Sequence, residues 1–201
     1  MKNVNINLEK VQIILNDFET RPATGMLSLE WGFFDADKKP VTKVTQIKDD
    51  LSDLEQVIYD LTKPEDEVSG FMGVVEHPGT KSYIKAELLT TQDPLLPEII
   101  IAKLIDFNKL VEGQTTVVKS VFEHLWDQLE LGKTKTRVIG TGLTIISADE
   151  INKTPHTCNI VLKATHHMNE NAFDKHGNAK GMKTIKKGEP SGSITLRLSS
   201  L

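Results

Sequence analysis

Apolar and polar residues alternate at period two along much of this chain, which predicts a protein built chiefly from β-strands. Asn3-Val4-Asn5-Ile6-Asn7-Leu8 sets Val4, Ile6 and Leu8 on one strand face, and Val11 to Leu15 continues the pattern. After the Arg21–Gly25 break, the strand-favouring run Met26–Phe34, the turn cluster Asp35–Pro40 and the returning run Val41–Ile47 form a hairpin signature. Phe71–Glu76, the turn His77-Pro78-Gly79-Thr80 and Ser82–Leu89 read as a second hairpin, with His77 held extended and solvated before its proline. Asp93–Pro97 is a stiff connector, and Glu98–Ile105 is apolar enough for a strand buried on both faces. Arg137–Ile146, Thr157–His167 and Gly192–Leu198 complete the set.

Two segments change period. Leu51, Leu54, Val57, Ile58 and Leu61 fall at helical spacing over 50–62, with Asp49, Asp50 and Asp53 at the end where a helix dipole favours anions, and Pro64 beyond the other. Val118, Val121, Phe122, Leu125, Trp126 and Leu129 make an apolar stripe over 115–131, capped by Thr115 or Thr116 and stopped at Gly132. The expected fold class is therefore α+β: mainly antiparallel β, a sheet or sandwich of about ten short strands, with two packed α-helices. The expected organisation is one domain over 1–201 carrying an extended basic arm at 168–190.

Charge divides the chain near residue 132. Residues 1–132 hold 13 Lys/Arg and 23 Asp/Glu, whereas 133–201 hold 11 and 5. The basic excess concentrates in His176–Gly188, a stretch so rich in Gly and Lys that it reads as an exposed arm. No apolar run approaches the roughly 18 to 20 residues of a membrane span, and the N-terminus lacks the basic, apolar, small-residue series of a signal peptide. Cys158 is the only cysteine, which excludes an internal disulfide and a multi-thiolate zinc site within one chain. The expected setting is cytoplasmic or another reducing compartment.

Candidate chemistry is sparse. The potential metal ligands are His156, Cys158, His166, His167, Asp174 and His176. On one extended strand Cys158 and His166 would stand roughly 26 Å apart, beyond a shared coordination sphere. His166 and His167 would point to opposite faces, so one of them with Asp174 and His176 is the set that could hold a divalent ion such as zinc or iron. Cys158, among Ile160, Leu162 and Ala164, reads as a small buried hydrophobe. Gly140-Thr141-Gly142 lacks the third glycine and the following helix of a dinucleotide loop, and so marks a bulge or a close backbone approach.

Lys175, Lys180, Lys183, Lys186 and Lys187 are the candidate partner-binding residues. Their charge suits a phosphate backbone, but the arm offers only Phe173 as a stacking platform and the acidic body would repel nucleic acid. An acidic surface on a neighbouring copy, or on another protein subunit, matches them equally well. The leading expectation is thus a non-enzymatic interaction or assembly module without a cofactor, a subunit of a larger particle such as a virion or secretion-type complex. The alternatives are a metal-dependent enzyme using the His/Asp cluster and a nucleic-acid-binding protein using the lysines.

Overall fold

The computed structural model describes residues 2–15, 17, 23–34, 40–63, 70–77, 81–100, 129, 135–153, 155–173 and 179–201. Strands dominate, as the alternation predicts, and among the described residues every pairing is antiparallel. They are β1 (Lys2–Ile13), β2 (Ala23–Phe33), β3 (Val41–Leu51), β4 (Gln56–Ile58), β5 (Phe71–His77), β6 (Ser82–Thr91), β7 (Thr136–Ile146), β8 (His156–Lys163), β9 (Met168–Phe173), β10 (Ala179–Ile185) and β11 (Pro190–Ser200). Among the described residues no helix is long and apolar enough to cross a membrane.

Among the described residues nine strands form one sheet in the order β3-β2-β6-β7-β8-β11-β1-β4, with β5 also on β1. The first and last strands are neighbours, with Ile6 opposite Leu198 and Val11 opposite Ile194. The other edge of β1 is shared, by β5 along Lys2–Asn7 and by β4 along Lys10–Gln12. At the far end of the order β3 comes up against β5, where a Cβ on Gly73 would lie 3.1 Å from Lys43 Cε. The sheet thereby curls almost into a barrel, which leaves few free edges.

The inward residues form one core: Val4, Ile6, Leu8, Val11 and Ile13 of β1, Leu27, Leu29 and Trp31 of β2, Ile84, Ala86 and Leu88 of β6, and Ile194, Leu196 and Leu198 of β11. The register shift between Leu8 and Lys10 explains why inward positions on β1 jump from 8 to 11: a bulge re-phases the alternation without losing a side chain from the core. His77 is not the solvated turn residue expected. It is 3% exposed and lies edge-on to Trp31, ring centroids 6.0 Å apart at 72°, tying the end of β5 to β2.

Three local expectations are overturned. The segment 50–62 is not a helix: Leu51 ends β3, and Gln56–Ile58 pairs with β1 as β4. Ile13 N–H donates to the Glu55 carbonyl and Leu54 N–H to the Ile14 carbonyl, so β1 captures a backbone whose β-branched Val57 and Ile58 already favour extension. Phe71–His77 and Ser82–Thr91 are both strands but not partners, since β5 joins β1 while β6 lies between β2 and β7. Residues 96–100 are helical where a strand from 98 was expected. Asp93 Oδ1 accepts from Leu95 N–H and Pro94 follows it, an N-cap and first-turn proline that start a helix. The helix expected over 115–131 lies outside the described residues, Leu129 apart.

A short helix α1, Ala148–Asn152, was not anticipated. Ser147 caps it, with the Ser147 and Glu150 side chains exchanging hydrogen bonds with each other's backbone N–H. Gly140 and Gly142 bear out the close-approach reading: a Cβ on Gly142 would lie 2.5 Å from the Val161 carbonyl oxygen and 2.6 Å from Ile160 Cγ2. There β7 and β8 share a single ladder pair, Thr141 with Lys163.

Candidate functional site

Within the stretch read as an arm, the described residues 168–173 and 179–185 are paired strands. Strands β9 and β10 pair with each other as a separate two-stranded sheet, from Met168 opposite Ile185 to Phe173 opposite Ala179. Strand β10 carries Lys180 and Lys183 despite its Gly and Lys content, which corrects the expectation of an irregular extended arm. The reason lies at its root. Met168 and Ile185, the last pair of the ladder, are 0% and 5% exposed and belong to the main core. An isolated two-stranded hairpin is marginal in water, and anchoring its base in a core supplies what the polar strands lack.

Backbone bonds fix the same root from the other side. Gly188 N–H donates to the Ala164 carbonyl at 2.8 Å, and Ala164 N–H donates to the Glu189 carbonyl at 2.9 Å. Gly188 has φ +87°, a left-handed conformation in which glycine carries no Cβ penalty. Glu189 closes the turn by accepting from Lys186 N–H at 2.8 Å. The exposed Lys186 and Lys187 therefore sit at the hairpin base.

His166 also braces this root. Strand β8 ends at Lys163, so the expectation that Thr157–His167 is one strand, with His166 and His167 on opposite faces of it, does not hold. His166 occupies the turn between β8 and β9, with Nε2 2.7 Å from Asp17 Oδ2 and Nδ1 2.9 Å from Thr165 Oγ1. The Thr165 hydroxyl donates to the Val138 carbonyl. Asp17 is left-handed at φ +64° and its carboxylate also lies 3.8 Å from Arg137 Nε. One carboxylate thus links the turn before the hairpin, strand β7 and the segment after β1. Thr165, His166 and Asp17 line up like a nucleophile, base and acid, but the hydroxyl proton points to a backbone carbonyl, a structural use.

Of the proposed metal set, His167 is exposed and His166 is engaged as described, while Asp174 and His176 lie outside the described residues, as does Lys175. Among the described residues no three His, Cys, Asp or Glu side chains gather as a metal site. Cys158 is 5% exposed, and burial raises its thiol above the ordinary range, against a weaker opposing hydrogen bond with Thr144. A thiol so placed is poorly disposed to ionise and attack.

Sequence reasoning singled out the lysines and missed what holds them. Met168 and Ile185 bracket a mostly polar stretch in which Phe173 and Met182 are the large apolar residues, a weak signal for a hairpin root. Asp17 and Arg137 are remote in sequence from His166 and carried no such signal. No family model matches the chain, and no curated protein matches it in sequence.

Proposed function

We propose that this protein is a non-enzymatic assembly module whose β9–β10 hairpin joins it to neighbouring copies of itself. The observation that supports this most is the form of the hairpin: a lysine-bearing ladder outside the barrel sheet, rooted in the core by Met168 and Ile185. A pre-organised projection loses less conformational freedom on docking than a free arm does, so more of its contact energy is expressed as affinity. The acidic first 132 residues of a second copy supply surface of the complementary sign.

The test replaces residues 170–183 with a two-residue turn, which keeps Met168 and Ile185 in place. The expected result is a β-rich, cooperatively folding protein that runs as a single chain, lighter than the 22.4 kDa full chain, under conditions where the full protein is a multimer. A full-length protein that is monomeric, or a shortened one that multimerises as well as the full chain, overturns the reading.

A further inference from the structure

Two patches on the outside of the barrel are complementary in charge and lie on opposite sides of it. The first is the seam between β7 and β8. From their one ladder pair, Thr141 with Lys163, two steps along each strand reach Leu143 and Val161. Both point outward, 59% and 52% exposed, and Ile145, next on the same face of β7, is 52% exposed. Leu143 and Val161 line a groove of about 530 Å³ whose walls also include Lys85, Thr141, Asn159 and Lys163, and none of its lining residues is acidic. Lys85 is drawn toward Glu87 at 3.3 Å, while Lys163 is exposed.

The second patch is the corner from β3 into β4. Leu54 and Ile58 are 69% and 70% exposed, the former at φ +55°, a left-handed conformation uncommon for a bulky residue. Residues 48–60 hold Asp49, Asp50, Asp53, Glu55 and Asp60 against the single Lys48, which the Asp50 and Glu55 carboxylates already hold. Apolar side chains within a charged rim are the anatomy of a protein interface, on both patches. Leucines displayed this openly, one of them in a strained backbone, are the kind of exposed apolar surface that calls for an explanation.

The strand order sets their relation. From the seam to the corner the path is β7-β6-β2-β3 in one direction and β8-β11-β1-β4 in the other, three steps each way. We infer that the basic β7–β8 seam of one copy receives the acidic β3–β4 corner of the next, in a head-to-tail contact that adds to the hairpin. The occupant is a second copy of this chain because one molecule presents both halves of the match. Different patches in contact make a heterologous interface, which propagates into a ring or an open filament instead of stopping at a symmetric dimer.

This inference rests on the reading that copies associate, but it names different residues from the hairpin, so the two can be separated. Leu54→Cys and Leu143→Cys are placed in separate full-length chains; both positions are exposed, and the native Cys158 is buried. A short bis-maleimide should link a 1:1 mixture into a pair several-fold more efficiently than it links either variant alone. Adding Lys163→Glu to the Leu143→Cys chain should lower that yield. A mixture that links no better than the single variants, or a yield indifferent to Lys163→Glu, overturns the head-to-tail contact, and in that case the seam is left to a foreign acidic partner. The hairpin is judged separately, by the mass of the shortened protein. A wild-type protein that is monomeric at every concentration overturns both.

Discussion

Met168 and Ile185 face each other as the last pair of the β9–β10 ladder and are both buried in the barrel core, so the hairpin is continuous with the body it projects from. Truncating either should cost stability as a core substitution does. Met168→Ala or Ile185→Ala is expected to lower the free energy of unfolding by about 2–5 kcal/mol, measured by urea titration, and to weaken self-association more than any single hairpin lysine substitution does.

The β7–β8 seam gives a second prediction. Gly142→Ala places a methyl 2.5 Å from the Val161 carbonyl oxygen, a backbone atom that cannot swing aside. A loss of about 1–3 kcal/mol follows from overpacking, read as a lowered midpoint in thermal unfolding. Thr141→Ala, whose side chain lies at the outer groove, should change stability far less.

The cap of α1 is testable by pH. Glu150 is held below the ordinary carboxylate range, first by the backbone N–H of Ser147 and then by its hydroxyl. A carboxyl with a depressed folded-state value stabilises above its unfolded value and loses that contribution as pH falls through the folded one. Ser147→Ala should cost about 1 kcal/mol near neutrality, and the difference from wild type should shrink on acidification below the carboxylate range.

At the alkaline end two phenols contribute, Tyr83, raised by burial and by its bond to Glu30, and Tyr59. The Tyr59 phenol is pushed up to about 12 by burial, and its hydroxyl has no hydrogen-bond partner among the described residues. The unfolded chain releases this proton near pH 10, the folded one later, so the stabilisation is complete below pH 10 and disappears as pH rises toward 12. On the order of 2 kcal/mol is at stake. Tyr59→Phe should make the alkaline arm of the stability curve shallower, leaving the part due to Tyr83, and leave the neutral plateau unchanged or higher, because an unpaired buried hydroxyl is removed.

Much of the fold was legible because strand alternation is a local property. The inward faces of Val4, Ile6 and Leu8 and of Ile194, Leu196 and Leu198, the β2–β3 hairpin and the tight approach at Gly140 and Gly142 all followed from neighbours in sequence, though the pairing of the first strand with the last did not. What escaped depended on distant partners. Leu54 and Ile58 match helical spacing by coincidence, and only hydrogen bonds to Ile13 and Ile14 show why the chain turns at Leu54 and then pairs with β1. His77-Pro78 looks like a hairpin turn, yet β5 crosses to β1 and buries His77 against Trp31. The signal for α1 was present and local, Ser147 three residues before Glu150, a capping box. The signal for the seam was present too: Leu143 and Ile145 make β7 apolar on its outer face, and Val161 does the same within Ile160-Val161-Leu162. Apolar residues on both faces of a strand imply cover on both faces.

Light scattering on the full protein and on the protein lacking 170–183, each at low and high salt, tests assembly through the hairpin most directly. The prediction is a multimer for the full chain that dissociates as salt screens the lysine–carboxylate contacts, and a single chain for the shortened protein at both salts. A full chain that stays monomeric at low salt, or a shortened chain that forms the same multimer, would contradict it.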